Sequence, residues 1–144
     1  MKNILIIGSG LIGSSVLRAV HTRKLSRNIF VYEKSKKNIS VIKKLKFGCK
    51  VINKLDNVSN NFDLIILCTP MSQYKNVITK INKNILNNAI VTDVGSTKES
   101  SSKQVRKILN KNKIWIPSHP ITGSEVSGAE HGDKNLFKNK WCVL

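Results

Sequence analysis

Apolar residues recur along this chain in two alternating rhythms. Short, near-continuous apolar runs at 3–7, 28–33, 49–52, 62–68, 89–94 and 114–116 read as strands, and another begins at 141–144. Runs without polar alternation are expected of strands covered on both faces. Between them the period lengthens. Residues 11–24 carry apolar positions 12, 16, 19 and 20 on one helical face, and 35–47 form a helix that Ser35 caps and Gly48 stops. Tyr74, Val77, Ile78 and Ile81 follow helical spacing in a segment running to about 83. Val105, Ile108 and Leu109 mark a fourth helix, capped by Ser96 or Thr97, and 118–135 read as a polar loop. This β-α-β-α order predicts an α/β fold: a Rossmann-type, doubly wound, mostly parallel sheet with right-handed crossovers.

The first strand runs into Gly8-Ser9-Gly10-Leu11-Ile12-Gly13, and Glu33 follows the last glycine by 20 positions. A G-x-G-x-x-G turn between strand and helix, with an acid ending the next strand, is a dinucleotide cradle. The first glycine makes the turn, the second admits the pyrophosphate, the third lets helix and strand pack closely, and the helix N-terminus receives the anion. Gly8, Gly10, Leu11, Ile12 and Gly13 are therefore expected to hold cofactor. Glu33 is expected to accept the adenosine ribose hydroxyls, which favours NAD. Lys34, Lys36 and Lys37 follow at once and keep NADP open.

In an open α/β sheet the ligand crevice lies beyond the carboxyl ends of the strands. Thr69 and Pro70 after the fourth strand, and Gly95 and Ser96 after the fifth, fall at that edge. So does His119, just past the sixth strand in Pro117-Ser118-His119-Pro120-Ile121-Thr122-Gly123-Ser124-Glu125. A loop histidine alone is more often a surface residue, but this position suits a group that accepts a proton near neutral pH. No His/Cys/Asp cluster has metal-ligand spacing, so no metal is expected.

Charge changes the picture little. The 144 residues carry 25 basic and 8 acidic side chains, a net charge of +17. Twenty-one of the basic residues are lysines scattered over every helix, with no local stripe. No nucleic-acid partner is expected on that distribution. A positive field also favours the approach of an anionic substrate or cofactor. No apolar run reaches the ~20 residues of a membrane span, and the glycines at 8, 10 and 13 break the N-terminal apolar stretch, so no targeting segment is read there. Cys49, Cys68 and Cys142 are odd in number and lack C-x-x-C spacing. Reduced thiols in a cytoplasmic protein are the expectation, with Cys68 and Cys142 buried in strand-like runs.

Over its whole length the chain resembles the prephenate/arogenate dehydrogenase family of tyrosine biosynthesis. The resemblance rests on the glycine turn through Ser14-Ser15, on Cys68-Thr69-Pro70, on Asp93-Val94-Gly95-Ser96-Thr97-Lys98, and above all on the 119–125 segment with Ser127-Gly128-Ala129 and Leu136-Phe137 after it. It implies NAD(P)-dependent oxidative decarboxylation of prephenate or arogenate to 4-hydroxyphenylpyruvate or tyrosine. It implies that His119 contacts the substrate ring hydroxyl, that Ser96 supports that contact, and that Glu125 stands near the substrate entrance. It further implies a homodimer built through a helical C-terminal domain. None of that domain is found in residues 1–144, which read as a nucleotide-binding domain truncated at its C-terminal end and poorly active alone. Two other readings stay open: another Rossmann dehydrogenase, acting on a small hydroxy acid or cyclic imine, and a non-catalytic NAD-binding module.

Overall fold

In the computed structural model, which describes residues 1–57, 62–85 and 88–144, six parallel strands form one sheet in the order β3-β2-β1-β4-β5-β6. The strands are β1 (Asn3–Ile7), β2 (Asn28–Tyr32), β3 (Lys50–Ile52), β4 (Leu64–Leu67), β5 (Ile90–Asp93) and β6 (Ile114–Ile116). The helices are α1 (Leu11–Thr22), α2 (Lys36–Lys44), α3 (Tyr74–Ile81) and α4 (Lys98–Ile108). Chain order reverses between β1 and β4, which pair from Ile4↔Leu64 to Ile7↔Leu67. That reversal opens a crevice at their carboxyl ends.

Strand alternation sorts the core into two layers. Leu5 and Ile7 of β1 join Ile65, Leu67 and Val91 beneath Tyr74, Val77, Ile78 and Ile81 of α3 and Val105 of α4. Ile4 and Ile6 face the other way and join Ile29, Val31, Leu17, Val20 and Ile42 under α1 and α2. The second layer thins toward β6, where Ile114 and Ile116 share the face of Ile4 and remain exposed.

The expected elements all form, with shifts that have physical causes. The buried side of α1 is Gly13, Ser14, Ser15, Leu17 and Val20, whereas Ile12, Val16 and Ala19 are only partly buried. The two serines are covered by a later loop: Ser15 Oγ donates to the Leu11 carbonyl at 2.7 Å and accepts the Asp133 N–H at 2.9 Å. Ser35 does cap α2, its Oγ accepting the Asn38 N–H, but the helix ends at Lys44 because Lys46 turns left-handed at φ 54°. Residues 118–135 are not all loop. His119–Pro120 form β7, antiparallel to β8 (Cys142–Val143), in a separate two-stranded sheet. Cys142 is exposed there, contrary to expectation, since two residues make too short a strand to bury it. No helix among the described residues is long and apolar enough to cross a membrane.

Candidate functional site

The turn after β1 is built as its glycines require. Gly8 has φ 90°, a conformation that disfavours any side chain. A Cβ on Gly13 would lie 2.0 Å from the Gly8 carbonyl oxygen, so only glycine lets α1 sit this close to the strand. At Gly10 a Cβ would meet nothing within 4 Å. That open space borders the first turn of α1, beginning at Leu11 and Ile12, which has no side-chain cap. Uncapped N–H groups at a helix start bind anions.

Beside the turn lies a cleft of about 290 Å³ lined by Gly8, Tyr32, Glu33, Lys34, Thr69, Pro70, Gln73 and Val77. Thr69 Oγ1 is buried and has no hydrogen-bond partner among the described residues. A dinucleotide fits these features: pyrophosphate over Gly10, adenosine in the cleft, and a polar group available to the Thr69 hydroxyl.

Glu33 forms one wall of the cleft and is held firmly. Its Oε2 accepts the N–H of Ser9 at 2.8 Å, the Ser9 hydroxyl at 2.7 Å and the Asn38 amide at 3.2 Å. Its Oε1 accepts the N–H groups of Lys34 and Ser35 at 2.7 and 2.8 Å. Burial by itself would push this carboxyl up, but the donors from Ser35, Ser9 and Asn38 outweigh it and hold the group below its ordinary value. Of the neighbouring lysines, Lys34 lines the cleft, while Lys37 is paired with Glu130 at 2.5 Å.

Two strands along the same edge sits a buried polar hub. Asp93, at the end of β5, has no exposed surface. Its carboxylate accepts the Tyr74 hydroxyl at 3.0 Å, the Gly95 N–H at 3.1 Å and the Ser118 N–H at 3.0 Å. Lys98 Nζ pairs with both oxygens at 2.7 and 2.8 Å and also donates to the Ser118 carbonyl. The Ser118 hydroxyl donates to the Asp93 carbonyl at 2.5 Å. Burial, reinforced by the Asp93 charge, pushes the Tyr74 phenol up, so it remains a donor. The same two causes raise the Cys68 thiol to about 12.

His119 follows Ser118 directly, and Ser96 stands three residues past Asp93. The Ser118–Asp93 bonds therefore bring both to one stretch of the sheet edge. With strands ~4.8 Å apart, the end of β5 lies roughly 10 Å from the end of β1, within the span of an extended dinucleotide. His119 is half-buried and Ser96 exposed; neither side chain has a hydrogen-bond partner among the described residues. Glu125 is exposed in the loop beyond, and no hydrogen bond or ion pair joins its carboxylate to a described residue. Sequence reasoning overlooked the roles of Tyr74, Lys98 and Ser118 around Asp93. One signal was present: a lone acid ending the apolar run Ile90-Val91-Thr92-Asp93 in a covered strand must find donors.

The prephenate dehydrogenase nucleotide-binding-domain model matches residues 16–144. The chain belongs to this family. It is 32% identical over 143 residues to the cyclohexadienyl dehydrogenase of Zymomonas mobilis, covering 99% of this chain and 48% of that protein. It is 31% identical to the prephenate dehydrogenase of Lactococcus lactis, covering 100% of this chain and 41% of that one. The crystal structure of the Aquifex aeolicus prephenate dehydrogenase, in complex with hydroxyphenyl propionate and NAD+, superposes with a TM-score of 0.88 at 27% identity, over 99% of this chain and 49% of that chain. The chain thus spans less than half the length of the curated relatives it matches. In this chain the glycine turn, the Glu33 cleft and the Asp93 hub share one sheet edge.

Proposed function

We propose that this domain binds NAD and carries the proton acceptor for oxidative decarboxylation of prephenate, or of arogenate, its counterpart with an alanyl side chain. The observation that supports the reading most is the fastening of Ser118 to Asp93, which holds His119 at the edge where the glycine turn opens. NAD held by the glycine turn and the Glu33 cleft would supply the hydride acceptor for the ring carbon that bears the substrate hydroxyl. His119 takes the hydroxyl proton, and Ser96 supports its contact with that oxygen. The ring then carries a carbonyl placed so that its carboxylate is a vinylogous β-keto acid. Loss of CO₂ from that position restores aromaticity, which drives the reaction forward, and the resulting phenolate oxygen takes back the proton held by His119. Glu125 lies near the entrance of the substrate.

NAD is favoured over NADP. The fixed Glu33 carboxylate would repel a 2′-phosphate, and Lys37 is engaged by Glu130. Groups that grip the substrate carboxylates come, in this proposal, from the part of the relatives beyond the matched half, as does any dimer contact. The 144 residues then bind cofactor and turn over slowly alone. Grafted in place of the matching half of the Zymomonas mobilis relative, the domain is expected to support prephenate-dependent NADH formation. His119→Asn should lower turnover at least ~100-fold with NAD affinity unchanged. Undiminished turnover would favour a different Rossmann dehydrogenase.

A further inference from the structure

We propose that Lys98 is a positioning residue that clamps the peptide carrying His119; its purpose rests on the proton-acceptor reading above. The Ser118 carbonyl belongs to the same peptide unit as the His119 nitrogen, and Lys98 Nζ donates to that carbonyl. The other side of Ser118 is held as well, its N–H on Asp93 Oδ1 at 3.0 Å and its hydroxyl on the Asp93 carbonyl at 2.5 Å. Thr92 Oγ1 adds a bond to the Ser118 hydroxyl at 3.1 Å. The residue before the imidazole is thus gripped at every polar backbone atom, and Lys98 supplies the grip on the atom nearest His119. Pro117 and Pro120 stiffen the flanks through their fixed φ. On the other side, His119 and Pro120 pair with the two-residue strand β8, the Ile121 N–H donates to the Trp141 carbonyl at 2.8 Å, and the Thr122 hydroxyl donates to the Leu136 carbonyl at 3.0 Å.

A simpler role for Lys98 is to neutralise a buried carboxylate. Asp93 has no exposed surface, and the Lys98 side chain retains only 27% of its own. The two roles part in the double variant Asp93→Asn/Lys98→Met, which removes both charges together and so avoids stranding one in the interior. If Lys98 only balances charge, this neutral pair leaves residues 118–119 no looser than Asp93→Asn alone, the reference in which one acceptor oxygen is already replaced by an amide NH2. If Lys98 clamps the peptide, the pair folds and binds NAD, yet residues 118–119 loosen beyond that reference.

The experiment compares backbone ¹⁵N order parameters, the unfolding midpoint and NAD affinity in the 144-residue chain. His119 is expected to fall from about 0.85, a rigid backbone value, to below ~0.6 in the double variant. Ile66 within strand β4 should stay rigid, the midpoint near that of the parent, and NAD affinity within about twofold. Lys98→Arg, which keeps a charged donor, should keep His119 rigid. A His119 no looser in the double variant than in Asp93→Asn overturns the proposal, as does loosening that spreads equally to Ile66. A loosened His119 combined with full turnover of His119→Asn in the grafted enzyme would leave the clamp standing and remove the proton-acceptor reading.

Discussion

Gly10 and Gly13, three residues apart, should fail in different ways when given a methyl group. At Gly13 the new Cβ would lie 2.0 Å from the Gly8 carbonyl oxygen, 2.9 Å from the Gly8 carbonyl carbon and 3.1 Å from Cys68 Cβ. Comfortable heavy-atom contacts begin near ~3.5 Å, so α1 must retreat from β1 by more than about 1 Å. The nearest obstacle is the Gly8 backbone, which cannot turn away. Overpacking of this kind costs about 1–3 kcal/mol. The helix start also moves off the phosphate position, so Gly13→Ala should lose both stability and NAD binding. At Gly10 the added Cβ meets nothing within 4 Å, and φ is an ordinary −64°. Gly10→Ala should cost less than ~1 kcal/mol, the usual penalty for alanine at a helix N-cap. It should still weaken NAD at least tenfold, because the methyl occupies the space assigned to the pyrophosphate. Urea unfolding and calorimetric NAD titration of both variants are the assay. Normal NAD affinity in Gly10→Ala would refute the placement of the pyrophosphate, and normal stability in Gly13→Ala would refute the packing argument.

Other consequences follow from the buried hub and the Glu33 wall. Tyr74→Phe removes one donor to a buried carboxylate and should cost about 1.5–3 kcal/mol in urea unfolding, with α3 otherwise intact. The Glu33 carboxyl lies below its ordinary value in the folded chain, so it binds fewer protons there than when unfolded. Its contribution is fully present above the unfolded value of about 4.3 and is lost as pH falls through the folded one. Thermal unfolding should therefore show the parent more stable than Glu33→Gln at neutral pH, with the gap closing in acid; a gap that widens in acid would contradict the assigned direction. In NAD and NADP titrations of the parent, NAD should bind more tightly.

Element type and order were legible in the sequence because parallel strands covered on both faces leave unbroken apolar runs. β6 at Ile114–Ile116 was predicted with its observed limits. The face of α1 was misjudged because periodicity counts apolar residues, whereas Ser14 and Ser15 are buried under a loop more than a hundred residues away that satisfies one of them. The pairing of His119–Pro120 with Cys142–Val143 left no periodic trace, since two residues cannot show alternation. Gly8, Gly13 and Glu33 could be read as a motif because their roles depend on local spacing. The bonds among Tyr74, Asp93, Lys98 and Ser118 could not, because each joins residues 5 to 25 positions apart through the sheet edge.

The central claim is that the His119 imidazole faces the nicotinamide end of the bound cofactor with room for one substrate ring between them. A crystal structure of the chain soaked with NAD measures this directly. Hydride and proton leave the same carbon–oxygen pair, each across a near-attack gap of ~3–3.5 Å, so the nicotinamide C4 to imidazole nitrogen distance should be about 7 Å. A nicotinamide ring lying over β2 and β3, on the far side of the glycine turn from His119, would contradict the account.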